Sequence, residues 1–302
     1  MTVALSNVTI RYGEKIAVHD LSVEFPRGAV ALLGRNGAGK SSVLRALLGL
    51  VRPASGEIRI DDVPITRHSA ATRRHIGYMP EREAYVPQAT AFEMVALLGR
   101  LSGMPRRDAW RRAHEVLYLV GLDEQRYRPV SGYSAGMRQK TKLAAALVHD
   151  PRLVLLDEPT NGLDPGGRDD MLALIRRLGE LGKSVVLSTH ILPDVEDVCA
   201  AAVVLEKGRV VAQGSLHELT QGGPWQCEVV VEPRSLVFTL PQVPEASVQR
   251  IGDGRFAVRM PENVGTAPVF AAVLAAGGAV RALVPRRRSL EDVFLGAIAN
   301  VS

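Results

Sequence analysis

The stretch "GAVALLGRNGAGKSSVLRALLGLV", Gly28 to Val51, decides how the rest of the chain is read. Val30 to Leu33 is a short apolar run of the kind that makes a buried strand, and Val43 to Leu50 carries apolar residues at helical spacing. Between them "GRNGAGKSS", Gly34 to Ser42, fits the pattern glycine, four residues, glycine, lysine, serine. The glycines let the chain curl so that consecutive backbone N–H groups face an anion, with the positive end of the following helix behind them. Gly34, Asn36, Gly37, Ala38, Gly39, Lys40, Ser41 and Ser42 are the candidate phosphate-binding residues. Lys40 reaches the terminal phosphates, and the Ser41 hydroxyl suits Mg²⁺. A glycine turn that precedes lysine by chance is the weaker reading, since it asks for neither the strand before nor the helix after.

A second segment supplies the complementary chemistry. In "LVLLDEPTNGLDP", Leu153 to Pro165, four apolar residues run straight into two acids. An ionised carboxylate is costly in a core, so the acids are expected to end a buried strand in a polar cleft. Asp157 is suited to hold Mg²⁺ and Glu158 to polarise an attacking water. Neighbouring strand residues point to opposite faces, which predicts different tasks for the two. "VVLSTH", Val185 to His190, ends another apolar run on a polar tip, at the carboxyl end of a strand where α/β sheets place ligands. His190 is there placed to contact the terminal phosphate.

A third segment, "YSAGMRQKTKLAAALV", Tyr133 to Val148, reads as a helix that opens on small residues. Ser134 and Gly136 fall in its first turn and no acidic side chain caps it, so its N–H groups are expected to point outward at an anion.

The chain has 302 residues, 46% of them hydrophobic and 23% charged, which suits one large folded domain and a small one. Cys199 and Cys227 lie far apart with no ligand spacing, which disfavours disulfides and zinc and fits a reducing cytosol. The N-terminus does not look like a secretory signal. Asn263 to Val280 is free of charge, but it is dominated by Ala and Gly and broken by Pro268 and Gly277-Gly278. It reads as a short buried helix followed by a strand rather than a membrane span. The net charge of +5 permits an acidic partner, yet the arginines are scattered, with Arg286 to Arg288 the only tight run, so a solvated basic face is the better account.

No internal repeat is visible. From residue 1 to about 220, apolar runs alternate with helical stretches, which predicts an α/β phosphate-loop domain with a mainly parallel sheet covered on both faces. A helical subdomain is expected over about 89–148, and "VVLEKGRVVAQG", Val203 to Gly214, reads as a hairpin. A Gly/Pro break at 222–224 separates a small α+β domain over 225–302.

Taken together, these residues resemble the ATP-hydrolysing subunits of ABC transporters over roughly residues 3–220. "GRNGAGKS" looks like the family's Walker A, "LVLLDEP" its Walker B with the catalytic glutamate at Glu158, "NGLDP" its D-loop with Asp164, His190 its switch histidine and "YSAGMRQ" its signature. Tyr12 occupies the place of the aromatic that stacks on adenine. The usual signature is Leu-Ser-Gly-Gly-Gln; here Tyr133, Ala135 and Met137 stand at its first, third and fifth positions, while Ser134 and Gly136 are kept. The glutamine of the family's Q-loop falls at Glu81, whose carboxylate is suited to meet the metal or its water.

The resemblance implies ATP and Mg²⁺ as ligands, with Ser41, Asp157 and Glu81 toward the metal and Glu158, His190 and Glu81 toward the reaction. It also implies a second ATPase subunit, identical or related, whose Ser134 and Gly136 close over the ATP held at Lys40. A separate transmembrane permease would hold the protein at the cytoplasmic face of the membrane. "PRRRSLEDVFLGAIA" resembles the tail of ATPases from two-component exporters. A soluble relative acting on nucleic acid or ribosomes is the alternative, and the single set of motifs and the lack of sustained heptads disfavour it. A phosphate-loop kinase or GTPase has no use for "YSAGMRQ" or "NGLDP".

Overall fold

The computed structural model describes residues 1–65, 70–82, 85–86, 88–221, 225–261, 264–286 and 289–299. The chain divides into two compact units, Met1–Ser215 and Leu216–Asn300.

In the first unit the elements run β1 (Val3–Tyr12), β2 (Lys15–Phe25), β3 (Ala29–Leu33), α1 (Lys40–Leu47), β4 (Ser55–Ile60), β5 (Val63–Pro64), α2 (Ala70–Arg73) and β6 (Ile76–Met79). There follow α3 (Ala91–Leu101), α4 (Arg106–Leu119), two short 3₁₀ turns, α5 (Ala135–Leu147), β7 (Leu153–Asp157), α6 (Pro165–Glu180), β8 (Ser184–Thr189), α7 (Leu192–Val198), β9 (Ala201–Glu206) and β10 (Arg209–Ser215). The strand–loop–helix expected over Gly28 to Val51 is present as β3 and α1.

A six-stranded sheet has the order β10-β9-β3-β8-β7-β6. Its pairs are parallel except β9–β10, the expected hairpin. Every residue of β7 and β8 is buried, which is why their sequences are continuous apolar runs rather than alternating ones. The order matters for function. Strands β3, β8 and β7 are neighbours, with Leu33 opposite Thr189 and Asp157 opposite Ser188, so the segments leaving their carboxyl ends emerge side by side.

A second sheet, β2-β1-β4-β5, is antiparallel and was not among the sequence expectations. Its alternation is there in Val3 and Leu5 but slips phase before Val8 and Ile10, because the ladder shifts register around Asn7, which has φ 51°. All four of those apolar residues are buried and share one hydrophobic cluster with α1 and β3.

In the second unit α8 (Leu216–Thr220) precedes β11 (Trp225–Glu232), β12 (Ser247–Gly252), β13 (Arg255–Met260), α9 (Ala267–Ala275), β14 (Ala279–Arg286) and α10 (Leu290–Ala299). Its sheet is antiparallel in the order β12-β13-β11-β14. The Gly/Pro break at 222–224 lies outside the described residues, and by contacts the division falls after Ser215. One expectation needs correcting. The helix in the uncharged stretch, α9, buries Val269 and Val273 but leaves Phe270 and Leu274 exposed, so it is half-buried. Among the described residues no helix is long and apolar enough to cross a membrane.

Candidate functional site

The glycine-rich loop follows β3 directly, and its glycines are required by what stands behind them. A Cβ on Gly39, at φ 108°, would lie 2.7 Å from the Ala17 carbonyl oxygen, and one on Gly34 would lie 2.5 Å from that of Leu205. The β9–β10 turn closes the back of the loop, where the Gly208 N–H donates to the Ala38 carbonyl at 3.0 Å. The loop is therefore pressed against its own chain on one side and open on the other.

The open side faces a cavity of about 700 Å³, within the size range of small-molecule sites. Among the expected site residues, Tyr12, Asn36, Gly37, Gly39, Lys40, Ser41, Ser42, Glu81 and Glu158 line it. Gly34 and buried Ala38 stand in the loop that forms its floor. Lys15, Arg35 and Lys207 also line the cavity and were not expected. Lys207 sits in the β9–β10 turn, and only the fold shows that this turn lies behind the loop.

Lys40 Nζ donates to the Gly34 carbonyl at 2.7 Å and pairs with Glu158 Oε1 at 3.1 Å. Both side chains are only 6% exposed, so each charge depends on the other for compensation. Glu158 Oε2 lies 3.0 Å from His190 Nδ1, which joins the carboxyl ends of β7 and β8 through one carboxylate. His190 thus stands against Glu158 in this structure. Asp157 Oδ1 accepts from Ser41 Oγ at 3.3 Å and from Ser188 Oγ at 2.8 Å. Beside it burial first, and then the negative Asp157 carboxylate, push the Tyr78 phenol up to about 12, so Tyr78 stays protonated.

The two acids do not separate to opposite faces as strand alternation predicts. The strand ends at Asp157, and Glu158 turns to φ 49° while its N–H donates to the Ser188 carbonyl at 2.9 Å. A non-glycine residue in that region is strained by on the order of 1–3 kcal/mol. The turn swings Glu158 back over the loop, so both acids reach adjacent residues, Lys40 and Ser41, with separate partners.

A buried latch that the sequence reading missed holds the following segment. Asp194 of α7, fully buried, accepts from Thr160 Oγ1 and from Arg168 Nε, each at 2.5 Å. It ties residues 160–168 to the helix that follows His190. The only sequence signal was an acid four residues after that histidine.

Asp157 and His190 do not line the cavity but bond residues that do, Ser41 and Glu158, whereas Asp164, Ser134 and Gly136 neither line it nor bond its lining. Asp164 is exposed at the N-cap position of α6 and makes no side-chain capping bond. Ser134 is the N-cap of α5, and its Oγ accepts from the Met137 N–H at 3.2 Å, so one of the outward-pointing N–H groups expected there is satisfied by the chain itself. Gly136 sits one position inside the helix, where a Cβ would meet only Ser134 Oγ at 4.0 Å. The departure at Tyr133 has a local reason. Its ring is buried and its hydroxyl donates to the Gln125 carbonyl, anchoring the helix start within the helical subdomain.

A glycine-rich loop between a buried parallel strand and a helix, a serine after its lysine, and two acids at the end of a neighbouring strand define a phosphate-loop nucleoside triphosphatase. The sequence profile of the family described as "ABC transporter" matches residues 18–161. An uncharacterised ABC transporter ATP-binding protein of Bacillus subtilis (strain 168), YxlF, is 35% identical over 89% of this chain and 90% of its own length. The Nod factor export ATP-binding protein I of Cupriavidus metallidurans is 35% identical over 96% of this chain and 95% of its own. Among solved structures, an ATP-binding subunit of an ABC transporter is 29% identical with TM-score 0.66, covering 73% of this chain and 92% of that one. A dimeric ATP-binding cassette in a post-hydrolysis state bound to ADP and Pi is 28% identical with TM-score 0.64, covering 71% and 98%. The chain belongs to the ATP-binding proteins of ABC transporters, and it is an ATP-binding, ATP-hydrolysing transport subunit.

Proposed function

We propose that this chain drives export through a separate transmembrane permease, works as a pair of ATPase subunits at the cytoplasmic face of the membrane, and hydrolyses ATP with Glu158 as general base. The observation that carries the catalytic part is the convergence of Lys40, Ser41, Asp157, Glu158 and His190 at the ends of three adjacent strands. Export is the activity for which the Nod factor relative is named, and the dimeric cassette supports the pairing.

In this reading the loop N–H groups and Lys40 bind the phosphates, and Tyr12, 42% exposed at the cavity wall, stacks on the base. An entering terminal phosphate competes with Glu158 for the Lys40 ammonium. The carboxylate so released is free to take a proton from water, while His190 holds its other oxygen. Ser41 Oγ and Asp157 Oδ1 are hard oxygen donors side by side and fit Mg²⁺. Among the described residues no group of three or more His, Cys, Asp or Glu forms a metal site by itself, which suits an ion completed by phosphate and water. The ion would neutralise charge developing on the terminal phosphate, with Glu81 toward it or its water.

Ser134 and Gly136 do not line their own chain's cavity. They cap the ATP held by the second subunit, with Asp164 at the same junction, and ATP thereby favours the closed pair. The helical subdomain over 89–148 passes this motion to the permease, and the unit from 225 onward is an accessory domain. The test is Glu158→Gln, which keeps the shape and removes the base. ATPase turnover is expected to fall about a hundredfold or more while ATP binding persists. Near-normal turnover removes Glu158 from the mechanism.

A further inference from the structure

Lys142 lies two turns into α5, the helix whose start carries Ser134 and Gly136, and it is only 6% exposed. A buried ammonium must be matched by acceptors, because its three donors lose water on burial. Two of its acceptors are backbone carbonyls. Lys142 Nζ donates to the Pro80 carbonyl at 2.8 Å and to the Glu81 carbonyl at 2.9 Å. Lys142 also lines a cavity of about 240 Å³ together with Tyr78, Met94, Ala146 and His149.

These two carbonyls belong to the first residues after β6, and Glu81 is the one whose side chain lines the nucleotide cavity. One lysine therefore fastens the backbone that aims Glu81 to the helix that begins at Ser134. Charge-assisted bonds of this kind are about twice as strong as neutral ones, so the segment and the helix are held in register. The strand ladder ends at Met79, opposite Leu156, and leaves Pro80 and Glu81 without sheet partners.

We propose that Lys142 is a positioning residue for the ATPase reaction: it sets the approach of the Glu81 carboxylate to the nucleotide and makes that approach follow α5. This rests on the reading of Glu81 as a group that meets the metal or its water. A shift of α5 on closure of the paired subunits carries the Glu81 backbone with it, so the carboxylate reaches its working position together with the Ser134 cap.

The test is a cycle of Lys142→Met, Glu81→Ala and the double variant, with Lys142→Arg as the conservative control. The readouts are kcat, KM for ATP and the Mg²⁺ concentration giving half-maximal rate. Lys142→Met is expected to lower kcat about tenfold and raise the Mg²⁺ requirement while KM changes less than about twofold, and Lys142→Arg to recover most of the rate. In the double variant the effects should be strongly non-additive, since losing the aim costs little once the carboxylate is gone. Additive effects, or a Lys142→Met chain that melts earlier but keeps its kcat and Mg²⁺ dependence, overturn the inference and leave the Glu81 reading intact. A silent Glu81→Ala overturns the Glu81 reading and this inference with it. Should Lys142→Met fail to fold, Lys142→Gln enters the same cycle, and additivity there counts equally against the proposal.

Discussion

The starts of α1 and α5 are the same local device built in opposite ways. Each is a helix N-terminus opening on small residues, without acid in its first turn. At α1 the chain stands close behind the loop: the Leu205 and Ala17 carbonyls leave no room for a Cβ at Gly34 or Gly39, and Lys40 is buried in an ion pair. At α5 Ser134 and Ala135 are exposed, and among the described residues a Cβ at Gly136 would meet only the Ser134 hydroxyl beyond its own helix backbone. The first end is made rigid by its own fold and faces its own cavity. The second is presented outward, and the absence of a side chain at Gly136 has no reason within the described chain. The difference is what the proposed capping by a second subunit accounts for.

The comparison breaks most sharply at Gly39. Gly39→Ala places a Cβ 2.7 Å from the Ala17 oxygen at φ 108°, and it should cost about 2–4 kcal/mol and abolish ATP binding, read by thermal melting and nucleotide titration. Gly136→Ala is the matched change on the other side. Its melting should stay within about 0.5 kcal/mol of the parent, while ATPase turnover falls about tenfold or more. A Gly136→Ala protein that hydrolyses ATP at the parent rate would dissolve the contrast.

How much of this was legible in the sequence depended on whether one segment carried its own reason. The phosphate loop, the buried parallel strands and the β9–β10 hairpin were readable because glycine spacing and continuous apolar runs are local signals. The antiparallel sheet was not, since the shift at Asn7 broke its alternation. Lys15, Arg35 and Lys207 escaped because isolated basic residues look like solvated surface until the fold gathers them. The alternation rule separated Asp157 from Glu158, and the positive φ of Glu158 brought them back to one loop. The Asp194 latch and the Lys142 clamp join segments far apart in sequence, and no single-segment pattern encodes such pairs.

The smallest expected effect concerns the far end of α5, which is held inside the unit while its start is free. His149 follows that helix, with Nε2 3.1 Å from the Ile76 carbonyl and Nδ1 buried without a hydrogen-bond partner among the described residues. Burial, more than any neighbouring charge, lowers its pKa below the ordinary 6.5. The unfolded chain then takes up a proton near pH 6.5 that the folded chain refuses, so this contribution to stability is complete above that pH. It should decline as pH falls from 6.5 toward the lowered folded value. Denaturant melts between pH 5 and 8 should show the decline, and His149→Gln should flatten it.

The central claim is that an ATP held at Lys40 of one chain is capped by Ser134 and Gly136 of another. Light scattering of the Glu158→Gln protein with and without Mg²⁺ and ATP tests it most directly. The account predicts that nucleotide doubles the mass from that of one 302-residue chain, and that adding Ser134→Arg prevents the doubling while each chain still binds ATP. A Glu158→Gln chain that remains single at saturating Mg²⁺ and ATP, or one whose pairing ignores Ser134→Arg, contradicts it.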